Sequence, residues 1–131
     1  MSRILQPADW VRPRGFSNGI VASGRYVAIA GQIGWNERAE FVSDDFLAQS
    51  AQALRNIVTI LAEAGATPAH IVRMTWYVTD KDEYMAGGRE LGALYKDIIG
   101  AHYPAMTLIV VKALLEDRAK VEIEATAVIP E

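Results

Sequence analysis

The sequence predicts an α+β fold: a layered sandwich in which two helices cover one face of a sheet, in the order β-β-α-β-α-β-β. Three observations carry this prediction. Lys120 to Val128 alternates strictly, with Val121, Ile123, Ala125 and Ala127 on one side and Glu122, Glu124 and Thr126 on the other, as successive strand side chains must. Asp44 to Ala64 instead repeats apolar residues at helical spacing, through Leu47, Ala51, Leu54, Ile57, Val58, Leu61 and Ala62. Glu83 to Ile99 carries a second helical stripe of Leu91, Leu94, Tyr95, Ile98 and Ile99.

In chain order, residues 1–14 mix apolar, Pro and Arg residues without period and read as an irregular arm or a short edge strand. Phe16 to Ser23 and Tyr26 to Gln32 read as two strands of a hairpin turning at Ser23-Gly24-Arg25. Gly31 and Gly34 interrupt the end of the second run, where glycine marks a bulge or the close approach of a ligand or backbone. The first helix has Ser43 or Asp44 to cap it and Gly65 to end it, and its polar residues Gln49, Gln52, Arg55, Asn56 and Glu63 read as a solvent face. Ile71 to Thr79 is a β-rich run, after which Asp80-Lys81-Asp82 can cap the second helix. Gly87, Gly88 and Gly92 are costly inside that helix; they serve either close packing or the wall of a cleft. Met106 to Val111 and Lys120 to Val128 supply the last strands.

The totals suit one compact domain over residues 1–131, since the chain is 51% hydrophobic. A net charge of -3 with dispersed signs offers no footprint for nucleic acid or an anionic membrane. The chain has no cysteine, which excludes disulfides and thiolate chemistry and fits a cytoplasmic setting. No signal-peptide core or transmembrane run is expected. Phosphate-loop and dinucleotide glycine motifs are missing, so nucleotide folds lose their support.

Few residues carry candidate chemistry. Glu122 and Glu124 lie about 6.5 to 7 Å apart along one strand face, either as a solvated edge or as a pair suited to acid-base work. Arg14, in the cluster Arg12-Pro13-Arg14-Gly15, is either solvated or a guanidinium that reaches an anionic ligand. His70 and His102 sit at turns and read as surface residues, unsuited to a triad or a metal site. If both helices cover one face, the opposite face is bare and partly apolar, which predicts self-association.

Several motifs then fall in order: A-G-Q-I at Ala30 to Ile33, E-A-G at Glu63 to Gly65, V-T-D after the strand from Ile71, Y-P-A at Tyr103 to Ala105 and V-E-I-E-A at Val121 to Ala125. Together they resemble the RidA/YjgF family of enamine and imine deaminases over nearly the whole chain from Phe16. The resemblance implies a chorismate-mutase-like two-layer sandwich on a mixed sheet, assembled as a homotrimer with small-molecule sites between subunits and no cofactor. It also implies a catalytic Glu122, which orients the attacking water. The family's carboxylate-binding Arg is replaced by Met106, and its frequent Asn by Gly88. R-G-F-S-N-G at Arg14 to Gly19, G-Q-I-G-W at Gly31 to Trp35 and P-A-M-T-L at Pro104 to Leu108 resemble the 2-aminomuconate deaminase-like branch. The implied binding set is Arg14, Phe16, Asn18, Gly31, Gln32, Trp35, Gly88, Arg89, Met106 and Thr107. Within it, Arg14, Asn18, Trp35 or Arg89 is expected to replace the missing guanidinium or to supply a stacking wall. A trimeric, non-catalytic metabolite-binding module is the competing expectation.

Overall fold

The structure, a computed structural model, describes residues 2–131. Its centre is a mixed four-stranded sheet of β3 (Arg25–Gln32), β6 (Val121–Ile129), β4 (Ile71–Val78) and β5 (Ala105–Val110), in that spatial order. β6 runs antiparallel to both neighbours, and β4 and β5 are parallel. A parallel pair needs a long crossover. Here it is supplied by α2 (Lys81–Ala86) and α3 (Gly88–Ile98), which pack with α1 (Phe46–Glu63) on one face.

The core lies between those helices and the sheet. Leu54, Ile57 and Leu61 of α1 meet Ile71, Met74 and Val78 of β4 and Val121, Ile123 and Ala127 of β6, all fully buried. Burying one such aliphatic side chain contributes roughly 1.5 to 3 kcal/mol, so the apolar half of each alternating strand fixes which face meets the helices.

Chain ends of the helices follow local chemistry. Asp45, one residue beyond the expected caps, accepts the Ala48 N–H at 2.9 Å and caps α1, while Ser43 accepts the N–H of Asp45 and Asp44 pairs with Arg118. At the other end Gly65 takes φ +72°, and Ala66 N–H to Leu61 O with Gly65 N–H to Ala62 O closes a Schellman motif. The second helical stretch is not continuous as expected. It breaks at Gly87, which ends α2 and begins α3, and Asp80 caps the first piece through the Glu83 N–H.

Of the two readings of the N-terminal residues, the short strand is the one found: β1 (Ser2–Leu5) pairs with β2 (Gly19–Ala22) as a separate two-stranded sheet. The expected hairpin is corrected, because β2 pairs with β1 and not with β3. Ser17 bridges Ala105 beside edge strand β5, whereas Arg25 pairs with Ile129 at the opposite edge strand, so residues 17–25 cross the end of the main sheet. Gly24, at φ +143°, makes the final turn where any Cβ would collide with Ile129 O.

The polar stripe of α1 is only partly a solvent face. Arg55 and Glu63 are exposed, but Gln49 is fully buried. Its Nε2 donates to Ser43 O at 2.9 Å and Arg118 O at 3.0 Å, and its Oε1 accepts the Lys120 N–H at 2.9 Å. One amide thus ties the loop before α1 to the segment entering β6. Gln49→Ala is expected to lower stability by about 2 to 4 kcal/mol, through a cavity and unpaired backbone groups, as read from urea unfolding midpoints.

Candidate functional site

A cleft of about 700 Å³ opens between α2–α3 and the β4–β5 half of the sheet. Its walls are Phe16, Trp76, Tyr84, Leu91, Tyr95, Tyr103, Met106 and Leu108, with Gly88 and Gly92 along α3. Arg14 is the one charged residue among them. Most of a small-molecule site is apolar, with a few polar groups to fix orientation, and this cleft has that make-up.

Backbone pinning brings the N-terminal residues here. Ser17 N–H donates to Pro104 O at 3.0 Å, and its buried hydroxyl donates to Tyr103 O. These two bonds hold Arg14 and Phe16 beside the start of β5. Across the cleft, the Tyr95 and Tyr103 rings stack at 5.6 Å and 17°, and the Tyr95 hydroxyl donates to His102 O at 2.7 Å.

The opposite face of the sheet carries the carboxylates. Ile123 and Trp76 are paired neighbours facing the helices, so Glu122 and Tyr77, one residue along on each strand, face away. Gly31 sits where β3 slips register against β6 between Ile29 and Gln32, the bulge that its glycine predicted. The Glu122 carboxylate lies over this glycine, in the space a Cβ would take. Glu124 instead accepts the Tyr77 hydroxyl at 3.4 Å. Desolvation, then the adjacent Glu124 carboxylate, raises the Tyr77 phenol above its ordinary value. The two carboxylates therefore have separate surroundings rather than forming one isolated pair.

The sequence-derived set is accordingly divided. Arg14, Phe16, Gly88 and Met106 line the cleft. Glu122 and Gly31 meet on the bare face, where Thr107 also points, two rows away beside Thr75. Four residues join neither group. Asn18 donates to Gln6 at 2.9 Å, Trp35 packs on Phe41 at 5.8 Å, Gln32 donates to Ala30 O at 3.0 Å, and Arg89 is exposed outside the cleft wall. The histidines are half-buried rather than free: His102 Nε2 bonds Ile71 O at 2.7 Å, and His70 Nδ1 accepts the Thr67 N–H at 3.0 Å.

Sequence reasoning missed Tyr84 and Tyr103 as cleft residues and Asn56 as a support, whereas Gly92 lines the cleft, one of the two roles its helical position suggested. Asn56 donates to Trp35 O at 2.9 Å and Ile33 O at 3.3 Å, holding the loop that follows Gly31. Its helical position resembles that of any solvent-facing amide, so only the fold reveals the role. Among the described residues no cluster of three or more His, Cys, Asp or Glu is placed to hold a metal, and no helix is long and apolar enough to cross a membrane.

The architecture is thus a mixed-sheet sandwich with a small-molecule-sized cleft under its helices and a carboxylate on its bare face. The Endoribonuclease L-PSP family profile matches residues 11–129, and the chain belongs to that family, the RidA/YjgF proteins. It is 35% identical over 105 residues to a RutC family protein of Haemophilus influenzae, covering 80% of each chain. Over 105 residues it is 32% identical to a 2-iminobutanoate/2-iminopropanoate deaminase of Salmonella typhimurium, again covering 80% of each. The solved structure of a conserved Rid-family protein from Yersinia pestis superposes with a TM-score of 0.84 at 38% identity, covering 98% of each chain.

Two outcomes are expected. Gly31→Ala forces the Glu122 carboxylate off its present position, visible as a changed Glu122 rotamer in a crystal structure. Burial, then the neighbouring Tyr103, raises the Tyr95 phenol well above its ordinary value of 10.0. The folded state then keeps its proton where the unfolded chain has lost it, so stability is full below about pH 10 and falls as pH rises beyond it. Urea midpoints measured between about pH 9 and 11 should fall more steeply for the wild type than for Tyr95→Phe.

Proposed function

We propose that this protein is a Rid-type deaminase that hydrolyses an enamine or imine to a carbonyl compound and ammonia, at a site completed between two copies of the chain. The observation that carries the reading is the division of the site: Met106 faces the helices, whereas Glu122 faces away on the same sheet. No side-chain rotation brings a group through a close-packed sheet. A homotrimer with the cleft of each copy against the bare face of the next would join them, as the family resemblance implies.

In that arrangement the substrate body lies in the aromatic cleft and Arg14 holds its carboxylate, in place of the guanidinium that Met106 lacks. Glu122 of the neighbouring copy takes a proton from water as the oxygen attacks the C=N carbon. The nitrogen is then protonated and leaves as ammonia. A 2-aminomuconate-like substrate suits both the motif pattern and the size of the cleft. The 32% identity to a 2-iminobutanoate/2-iminopropanoate deaminase supports the reaction class. The lack of cysteines agrees with a cytoplasmic setting.

Met106 also favours a second reading, in which the trimer binds an apolar metabolite without turning it over. Ammonia release from freshly generated 2-iminobutanoate and 2-aminomuconate separates the two. Under the deaminase reading Glu122→Gln lowers turnover by about 10²- to 10⁴-fold, and Arg14→Ala raises KM about tenfold. Assayed well below KM, where each variant alone is slow, unfolded Arg14→Ala and Glu122→Gln chains mixed and refolded together should restore about a quarter of the sites, because a quarter of neighbouring pairs join an intact cleft to an intact glutamate. No recovery would place both groups in one copy and sink the shared-site reading; no ammonia from either substrate would favour the binding module.

A further inference from the structure

The two glycines on the cleft wall have no role that one chain's packing or backbone explains. Gly88 and Gly92 lie four residues apart in α3, hence on one helical face, and neither has positive φ. A Cβ added at either would meet nothing within 4 Å, in contrast to Gly87, whose Cβ would press on Leu47 at 3.3 Å. Gly92, in the interior of α3, loses stability relative to alanine, and Gly88 opens the same helix. What the two missing methyl groups leave is room in the cleft, opposite Met106 and Leu108.

A second, independent observation concerns Trp76. It lines the same cleft, is 3% exposed, and its buried Nε1–H has no hydrogen-bond partner. A desolvated donor without a partner is costly unless an acceptor reaches it. Arg14 adds one positive charge to walls that are otherwise aromatic, thioether and aliphatic.

We infer that Gly88 and Gly92 are specificity-determining: they shave α3 to admit a flat, conjugated carboxylate, a ring or diene whose anionic end pairs with Arg14. The inference rests on the reading of this cleft as the ligand site, and it adds the two positions on α3 that set which carboxylates the site admits. A small 2-oxo or 2-imino acid does not need the space. A planar body sandwiched between the α3 backbone and the Met106 side does, and a methyl group at either glycine narrows that gap.

Calorimetric titration with benzoate, as a flat carboxylate probe, and 2-oxobutanoate, as a small one, tests this without requiring turnover. The wild type should bind benzoate more tightly. Gly92→Ala and the Gly88→Ala/Gly92→Ala pair should weaken benzoate at least about tenfold while changing 2-oxobutanoate less than about threefold. Arg14→Ala should weaken both probes. Melting temperatures of the alanine variants should be no lower than that of the wild type, because the added methyl groups meet open space. Unchanged benzoate affinity in the double variant, equal loss of both probes, or no benzoate binding by the wild type would each overturn the inference. Ammonia release from 2-iminobutanoate, measured in parallel, reports on the deaminase reading separately: its loss leaves the size selectivity standing, and its persistence does not rescue a failed selectivity.

Discussion

The constraint on which the rest depends is the alternation of β6. This strand lies between β3 and β4 with pairing on both edges, so its register cannot slip by one residue without exchanging Ile123 for Glu122 in the core. Burial of Val121, Ile123, Ala125 and Ala127 under α1 therefore commits Glu122 to the opposite face. The same two-residue period in β5 turns Met106 and Leu108 toward the helices and Thr107 away. Everything chemically suggestive is sorted by parity before any ligand is considered.

Parity alone would leave two unrelated half-sites. What gives each its shape is a small number of polar anchors. Ser17 fastens the N-terminal loop to the Tyr103–Pro104 backbone, which brings Arg14 to the cleft; Gln49 and Asn56 reach from α1 to hold the entry to β6 and the exit from β3. Buried amides are expensive unless every bond is made, and Gln49 makes three to backbone groups. The Glu122 carboxylate can lie on the Gly31 backbone because the bulge brings a residue without a side chain to that point. Position at this site comes from backbone geometry, not from a second ionised partner.

The fold was largely readable in the sequence because its strongest signals are periodic. The β6 alternation, the apolar spacing of α1 and its ending at Gly65 are local facts, and tertiary structure had only to agree with them. Pairing partners are not local. Ser23-Gly24-Arg25 announces a turn, but nothing in those residues says that β2 will cross the end of the sheet and attach near β5 through Ser17. Gln49 was read as solvent-facing for the same reason: the segment that covers it lies some seventy positions further along the chain. Of the candidate site, Met106, Phe16, Arg14 and Gly88 were found through motif resemblance and fall together. Asn18 and Trp35 shared the motifs and Arg89 adjoins Gly88, yet none of the three is on the cleft wall: Asn18 bonds Gln6, Trp35 packs on Phe41 and Arg89 is exposed.

Where a cation stands in the cleft decides what the cleft can hold. An Arg on β5 at position 106 would place charge on the floor, among groups removed from water, and would demand a carboxylate there. Met106 makes that floor apolar and polarisable, and Arg14 moves the charge to an exposed loop. A ligand can then put its hydrocarbon body deepest and its anionic end outward, the reverse of what a small imino acid gripped at the floor requires. The same distribution bears on the family's description as an endoribonuclease. A single strand of RNA presents a phosphate at every nucleotide and is followed by a groove lined with many cations. One arginine among aromatic and aliphatic walls, in a chain of net charge -3, does not make such a groove.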